Sequence, residues 1–300
     1  MMKNTPQDTY DTDRTRNRNL ESPDSLFQRK RIVRNILAAL FITLFLWHPC
    51  VSQETAENRW SYSLGLGMAN VPTYLGDNDY QVILFPNFRV SYSDRIFASL
   101  LEGIGFHAVK GNSWSYGPII KYQASRYKYG SITSKVEVER TKVLNNLEDV
   151  AFTVEPGVFF QYSNKLIHTK LEIRQGIGGH NGFIGELKSE YRSIFRLFGR
   201  SIFYAIGPQL KIADTDFNSA FFGIDQKQAL ETDLGIYEPK FGVLSYGLNG
   251  TLTVPLRRKF SMIAFAGYNR LGNVATESDL IIEYGSVNQR AFGLILNYTF

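Results

Sequence analysis

The chain has 300 residues, 44% of them hydrophobic and 20% charged, with a formal net charge of +5 and one cysteine. Charged residues are scarcer than in a typical soluble domain, while aromatic residues make up 14%. No run reaches the ~20 apolar residues of a membrane-spanning helix, and a lone cysteine excludes a disulfide framework.

Residues 1–28 are polar and charged, with no apolar period. They are either an extended leader or sequence upstream of the true start, and are read as non-structural. Arg29, Lys30, Arg31 and Arg34 then precede the apolar run Ile36–Trp47. A basic region before a short apolar core reads as a Sec-type signal peptide, and the core is too short for a membrane anchor. Cys50 and Ser52 suit the positions before a cleavage site, so cleavage is expected ahead of Gln53. Pro49 and His48 argue against a lipoprotein signal at Cys50. Two regions follow: an extension plus signal peptide at 1–52, and a mature domain at 53–300. Removing 1–52 takes away eight Lys/Arg and five Asp/Glu and leaves +2. The basic balance thus belongs mostly to the targeting segment and gives no support for nucleic acid as a partner.

From Trp60 onward, apolar residues alternate with polar ones between turn signals, the period of β-strands. Eleven strands are legible: 60–70, 80–92, 95–107, 113–125, 150–162, 166–177, 183–195, 200–212, 241–254, 259–269 and 287–300. Bacterial single-chain outer-membrane barrels have even strand numbers and short periplasmic turns. Placing the tightest connections (Ser93-Asp94, Ser163-Asn164, Phe198-Gly199, Arg257-Arg258) on one side leaves one strand missing within 127–149. Ile132, Val136 and Val138 alternate with Thr133, Lys135, Glu137 and Glu139, so 131–139 is predicted as that strand. The expected fold is all-β, an antiparallel up-and-down transmembrane barrel of about 12 strands, or 10 if 127–149 is loop. Pro86, Pro118, Pro156 and Pro208 fall within these strands, where each removes a ladder donor. Gly117-Pro118 and Gly207-Pro208 are read as kinks or bulges.

Strand 166–177 carries His168, Lys170, Glu172 and Arg174 on one face, and 183–195 carries Glu186, Lys188, Glu190 and Arg192. A turn centred on His180 pairs Arg174 with Glu186, Glu172 with Lys188 and Lys170 with Glu190, each worth roughly 0.2–1 kcal/mol. Turned toward lipid, Arg or Lys at mid-bilayer costs about 2–4 kcal/mol. The ladder Lys170, Glu172, Arg174, Glu186, Lys188 and Glu190 is therefore expected to line the lumen. A solvated face of a soluble hairpin is the alternative. At the C-terminus, Phe292, Leu294, Leu296, Tyr298 and Phe300 form an apolar stripe that ends on an aromatic. It reads as the closing strand and the insertion signal of an outer-membrane barrel.

The ordered series Tyr74-Leu75-Gly76-Asp77-Asn78-Asp79-Tyr80, Pro86, Tyr92-Ser93-Asp94-Arg95-Ile96-Phe97, Gly117-Pro118, Glu155-Pro156-Gly157, Gly178-Gly179-His180-Asn181-Gly182, Gly207-Pro208, Phe221-Phe222-Gly223-Ile224, Tyr268-Asn269-Arg270-Leu271-Gly272 and Tyr298-Thr299-Phe300 resembles the MipA/OmpV family of Gram-negative outer-membrane proteins (MltA-interacting protein). The resemblance spans about Trp60 to Phe300. It implies an outer-membrane barrel reached after Sec export. It also implies a scaffold that links a lytic transglycosylase to a peptidoglycan synthase, with no catalytic residues to carry over.

Three functional classes follow. A non-enzymatic envelope scaffold would use the basic turns at Arg196/Arg200 and Arg257-Arg258-Lys259, although anchoring at the bilayer edge explains such turns equally. A pore for small solutes is the alternative. A Ser/His hydrolase is disfavoured: no Gly-x-Ser-x-Gly elbow exists, and only His107, His168 and His180 remain after cleavage. No cofactor or metal is expected, since Asp77, Asp79, Asp214 and Asp216 lack a calcium-loop pattern. Asp225 three residues before Gln228 predicts a short capped helix in the loop 213–240. Membrane lipid is an expected partner, and oligomeric state is left open.

Overall fold

Leu64, Leu66 and Met68 are exposed on one side of the first strand, while Gly67 and Ala69 are buried on the other. Such a period-two wall separates two environments. In the computed structural model, which describes residues 60–124 and 150–300, fourteen strand pieces run in sequence. They are β1 (Trp60–Pro72), β2 (Tyr80–Tyr92), β3 (Ile96–Ser99), β4 (Gly103–Phe106), β5 (Val109–Lys110), β6 (Trp114–Gln123) and β7 (Thr153–Ser163). Then come β8 (Ile167–Gln175), β9 (Ile177–Gly178), β10 (Phe183–Leu197), β11 (Arg200–Ala213), β12 (Gly242–Arg257), β13 (Phe260–Leu271) and β14 (Asn288–Thr299). The two-residue pieces β5 and β9 pair on β6 and β7. The others form a closed 12-strand antiparallel barrel, sealed where β14 pairs with β1 from Asn70↔Phe292 to Ser63↔Thr299.

The count of twelve is met, but by a different strand. The segment 131–139 lies outside the described residues, and β6 pairs directly with β7 from Trp114↔Tyr162 to Gln123↔Thr153. No barrel strand fits between them. The extra strand comes instead from 95–107, which folds back on itself as the hairpin β3–β4. Gly103 makes this possible: its φ is +83°, and a Cβ there would lie 2.4 Å from the Ile120 carbonyl oxygen. Four residues per strand reach only about 14 Å at ~3.4 Å per residue, short of the ~25 Å apolar band. Among the described residues, β2 meets β3 only over Arg89–Tyr92, so Tyr80–Phe88 has a strand neighbour on the β1 side alone.

The prolines sit within paired strands, as Pro86↔Leu66, Pro156↔Ile120, Pro118↔Val158 and Pro208↔Leu248. The glycines before two of them admit close approach. A Cβ on Gly117 would lie 1.8 Å from the Phe106 carbonyl oxygen, and one on Gly207 would lie 1.7 Å from that of Ser189.

Short turns and the ends of β1 and β14 gather at one end of the barrel, the periplasmic end by the rule that outward loops are the long ones. Among the described residues the outer end carries four helices: α1 (Thr215–Phe222), α2 (Gln226–Thr232), α3 (Asn273–Thr276) and α4 (Asp279–Tyr284). Asp225 and Gln228 close a reciprocal capping box on α2. Asp214 caps α1 by accepting from the Phe217 N–H at 3.0 Å. No described helix is long and apolar enough to cross a membrane.

Candidate functional site: the lumen and the periplasmic rim

The charged residues of β8 and β10 share one face, but their register differs from the one inferred above. Residue numbers across the hairpin sum to 358, with Glu172 opposite Glu186, Lys170 opposite Lys188 and Glu190 opposite His168. The loop 176–182 closes by a hydrogen bond from the Gly176 N–H to the Gly182 carbonyl at 2.7 Å, which centres it on Gly179. Like charges thus face each other directly, an arrangement unfavourable alone. Of the three expected pairs only Arg174–Glu186 is in contact, diagonally, at 3.1 Å.

Other strands supply the compensation. Glu172, 3% exposed, binds Lys121 of β6 at 2.7 Å, Lys170 at 2.8 Å and Arg174. Arg174 also donates from Nε to Glu155 of β7 at 2.8 Å. Glu186 accepts from the Gln209 amide, which accepts in turn from Asn249 at 2.7 Å. Asn269 continues the chain to Asn249 at 3.3 Å. A polar belt thus runs from β6 to β13. Farther toward the periplasm, Glu190 is shared by Lys188 at 2.5 Å and Arg192 at 2.8 Å. Across the lumen the wall carries no buried ion pair among the described residues: Ile295 and Ala69 are buried, the Phe85 ring lies where a Cβ on Gly67 would be, and Asn87 donates to Asn297 at 3.1 Å.

Above the belt an apolar plug packs in the mouth. Phe217, Phe221 and Phe222 of α1 pack with Ile184, Ala213 and Leu271 of the wall and with Ala275 and Ile281 of α3 and α4. Asn218 ties α1 down by donating to the carbonyls of Ala213 (3.2 Å) and Lys240 (2.8 Å). The Ser278 hydroxyl donates to Phe222 O at 2.8 Å. His180 joins the plug to the belt: its ring packs edge-on against Phe217 at 4.7 Å, and Nε2 lies 3.1 Å from Glu155 Oε1. Its Nδ1 accepts from the Gly182 N–H at 3.0 Å, so Nε2 carries the proton. By its Gly-rich surroundings His180 reads as a turn residue. Its buried contacts escaped notice because they are made to distant strands.

His107 Nδ1 lies 2.9 Å from the Ser115 hydroxyl in the turn after β4. Among the described residues no acceptor orients the other ring nitrogen, so the orienting third group of a nucleophile–base pair is missing. Burial, then Lys110 and Lys170, pushes His107 below its ordinary value. His168 stands on β8 opposite Glu190, its Nδ1 buried without a hydrogen-bond partner among the described residues. Asp77 and Asp79 lie in the loop after β1, whereas Asp214 caps α1 and Asp216 is in its first turn. No group of three or more His, Cys, Asp or Glu among the described residues is arranged to hold a metal.

On β14, Phe292, Leu294 and Leu296 are exposed on the lipid side. Tyr298 packs on Phe260 and Phe300, and the Phe300 N–H donates to Tyr62 O at 3.0 Å.

Charge is segregated along the axis. Arg95, Lys110, Lys165, Arg196, Arg200, Arg257, Arg258 and Lys259 lie at or beside the periplasmic turns, with Asp94 the acid there, 3.6 Å from Lys110. The outer loops carry Asp214, Asp216, Asp225, Glu231, Asp233, Glu238, Glu277, Asp279 and Glu283 beside Lys227 and Lys240. At the tip of the β10–β11 hairpin, Phe198 is 94% exposed, with φ +49° beside Gly199 at φ +72°. Asn-Gly or Asp-Gly is the usual choice for such a two-residue turn, and a bulky residue at positive φ is an outlier. Arg200 braces this hairpin to the next by donating to Pro255 O and Leu256 O, each at 3.1 Å. An exposed phenyl on a turn flanked in sequence by Arg196 and Arg200 has the chemistry of an interface anchor.

A model of the family described as MltA-interacting protein MipA matches residues 64–300. Among curated proteins none matches. Similar solved structures include an outer-membrane channel from Pseudomonas putida F1, at 8% identity over 83% of this chain and 100% of that chain, TM-score 0.41. OprD from Pseudomonas aeruginosa is 11% identical over 79% of this chain and 65% of its own, TM-score 0.35. Ail from Yersinia pestis is 11% identical over 81% and 99%, TM-score 0.23. Identities this low carry no function across.

Proposed function

The chain belongs to the MltA-interacting protein MipA family, and we propose on that footing that this outer-membrane barrel is a non-enzymatic docking platform that holds envelope enzymes from its periplasmic rim. The observation that carries this reading is Phe198. A phenyl held in water on a left-handed backbone costs about 1–2 kcal/mol of local stability, which a bound partner offsets by covering it. The basic residues of the rim suit an acidic protein face, and the apolar plug packed in the outer mouth supports a docking role over an open channel. The family description names an interaction with MltA. A lytic transglycosylase, joined to a peptidoglycan synthase, is therefore the partner proposed for this rim.

The test is a photoreactive residue at position 258, in the neighbouring turn, in intact envelopes, with identification of the captured protein. Capture of a peptidoglycan-remodelling enzyme that disappears with Phe198→Asn supports the proposal. Capture of lipid alone assigns the rim to bilayer anchoring and overturns it. The second reading, a small-solute channel, is favoured by the cavity that opens into the lumen beside Arg192. Large open steps in planar bilayers at neutral pH would select that reading.

A further inference from the structure

Below the polar belt the lumen wall holds a cavity of about 310 Å³ lined by Lys165, Arg192, Ile194, Phe203, Thr251 and Thr253. Two features there lack a counterpart. Ile194 and Phe203 lie opposite each other on β10 and β11, on the same face as Glu190 and Arg192, and so point into the lumen rather than toward lipid. Both are nonetheless about half exposed, at 55% and 45%. The ionic balance is also incomplete. Glu190 is divided between Lys188 and Arg192, and among the described residues Lys165 has no carboxylate within ion-pair distance. Three cations therefore share one anion beside an uncovered apolar patch.

We propose that this periplasmic vestibule is a binding site for a small amphipathic carboxylate. The carboxylate takes Lys165 and the free edge of Arg192, whose Nε and Nη2 are already fixed on Glu190 at 3.3 and 2.8 Å. A guanidinium so oriented presents its remaining donors in a set plane, which favours a flat carboxylate over a diffuse anion. The apolar body covers Ile194 and Phe203, and the hydroxyls of Thr251 and Thr253 complete the rim. The volume is at the small end of ligand pockets, which restricts the body to about one aromatic ring or a short aliphatic chain. Two sources offer this chemistry: a free periplasmic acid, or the C-terminal carboxylate of a protein that ends in an apolar residue.

The experiment titrates the full-length barrel in phosphatidylcholine nanodiscs, followed by saturation-transfer NMR and calorimetry. The probes are 3-phenylpropionate, its neutral amide, and the tripeptide Ala-Ala-Phe with a free or an amidated C-terminus. Saturable binding of the carboxylates is expected, weakened at least about tenfold by amidation, as for loss of a charge-assisted hydrogen bond. Combining Lys165→Gln with Arg192→Gln should weaken binding comparably, and Phe203→Ser should do so without touching charge. Tighter binding of the tripeptide assigns the site to a protein terminus, and tighter binding of the small acid assigns it to a free metabolite. Either outcome supports the proposal. Equal binding of acid and amide, or affinity unchanged in the variants, overturns it. Unchanged heat-modifiability on gels verifies that each variant is folded.

Discussion

Replacing Glu172 by Gln removes the carboxylate at the centre of the lumen belt. Its side chain is 3% exposed and holds Lys121 at 2.7 Å and Lys170 at 2.8 Å as well as Arg174. At an effective dielectric of about 20, each such contact is worth roughly 6 kcal/mol gross. Desolvation of several kcal/mol per ion offsets most of that. After the change Arg174 keeps Glu155 and Glu186, and Lys121 keeps Glu186 at 3.9 Å. Lys170 retains only the faces of Phe97 and Phe159, at 5.4 and 5.1 Å. The expected loss is about 3 kcal/mol, the low end for breaking a buried pair. Double-mutant cycles then read the register. Glu172 with Lys121→Gln should show a coupling of about 1–3 kcal/mol, whereas Glu172 with Lys188→Gln should be additive within about 0.5 kcal/mol. Reversible denaturant unfolding in lipid vesicles, followed by tryptophan fluorescence, supplies the numbers. A Glu172–Lys188 coupling larger than that of Glu172–Lys121 would restore the alternative register and refute the belt described here.

Phe198→Asn places a residue that tolerates positive φ at the turn tip, so the barrel should gain about 1 kcal/mol in the same unfolding assay while losing periplasmic capture. Destabilisation would mean that the phenyl packs rather than docks. Phe217→Ala opens a cavity in the plug, with an expected cost of about 3–5 kcal/mol; limited proteolysis should then cut within 214–241, and continued resistance would sink the plug. Burial lowers His107 in the fold, so its contribution is complete above its ordinary value near 6.5 and is lost as pH falls from there through its lowered value. In His107→Gln the unfolding midpoint should therefore depend less on pH below about 6.5. Deleting Phe300 removes the terminal aromatic and its backbone bond to Tyr62; a lower yield of heat-modifiable barrel in membranes is expected, and full assembly would deny the residue an insertion role.

The lipid-facing stripes made the barrel legible, because every spanning strand must repeat the same apolar period. Parity demanded an even number, and the missing strand lies inside 95–107, where residues 100–102 turn the chain between two short apolar pieces that read as one strand. The ladder's face followed from the cost of charges in lipid, whereas its register depended on the backbone of the Gly-rich loop. There Gly178 at φ +110° and Asn181 at φ +48° shift the centre by one residue. The plug was invisible for another reason. Phe217, Phe221 and Phe222 sit in a loop, where a local pattern carries no information about the wall residues that bury them. Phe198 was read only as part of a tight corner; its unsuitability for that turn was the signal.

Axial segregation of charge also fixes how the barrel can lie in its bilayer. Turning it over would draw the eight cations of the periplasmic end through hydrocarbon, at about 2–4 kcal/mol each near the midplane. The described outer loops that cross during insertion carry mostly carboxylates, which cost less on the same scale, with Lys227 and Lys240 among them. The orientation is then held by tens of kcal/mol of untraversable cation, independently of anything that binds at either face.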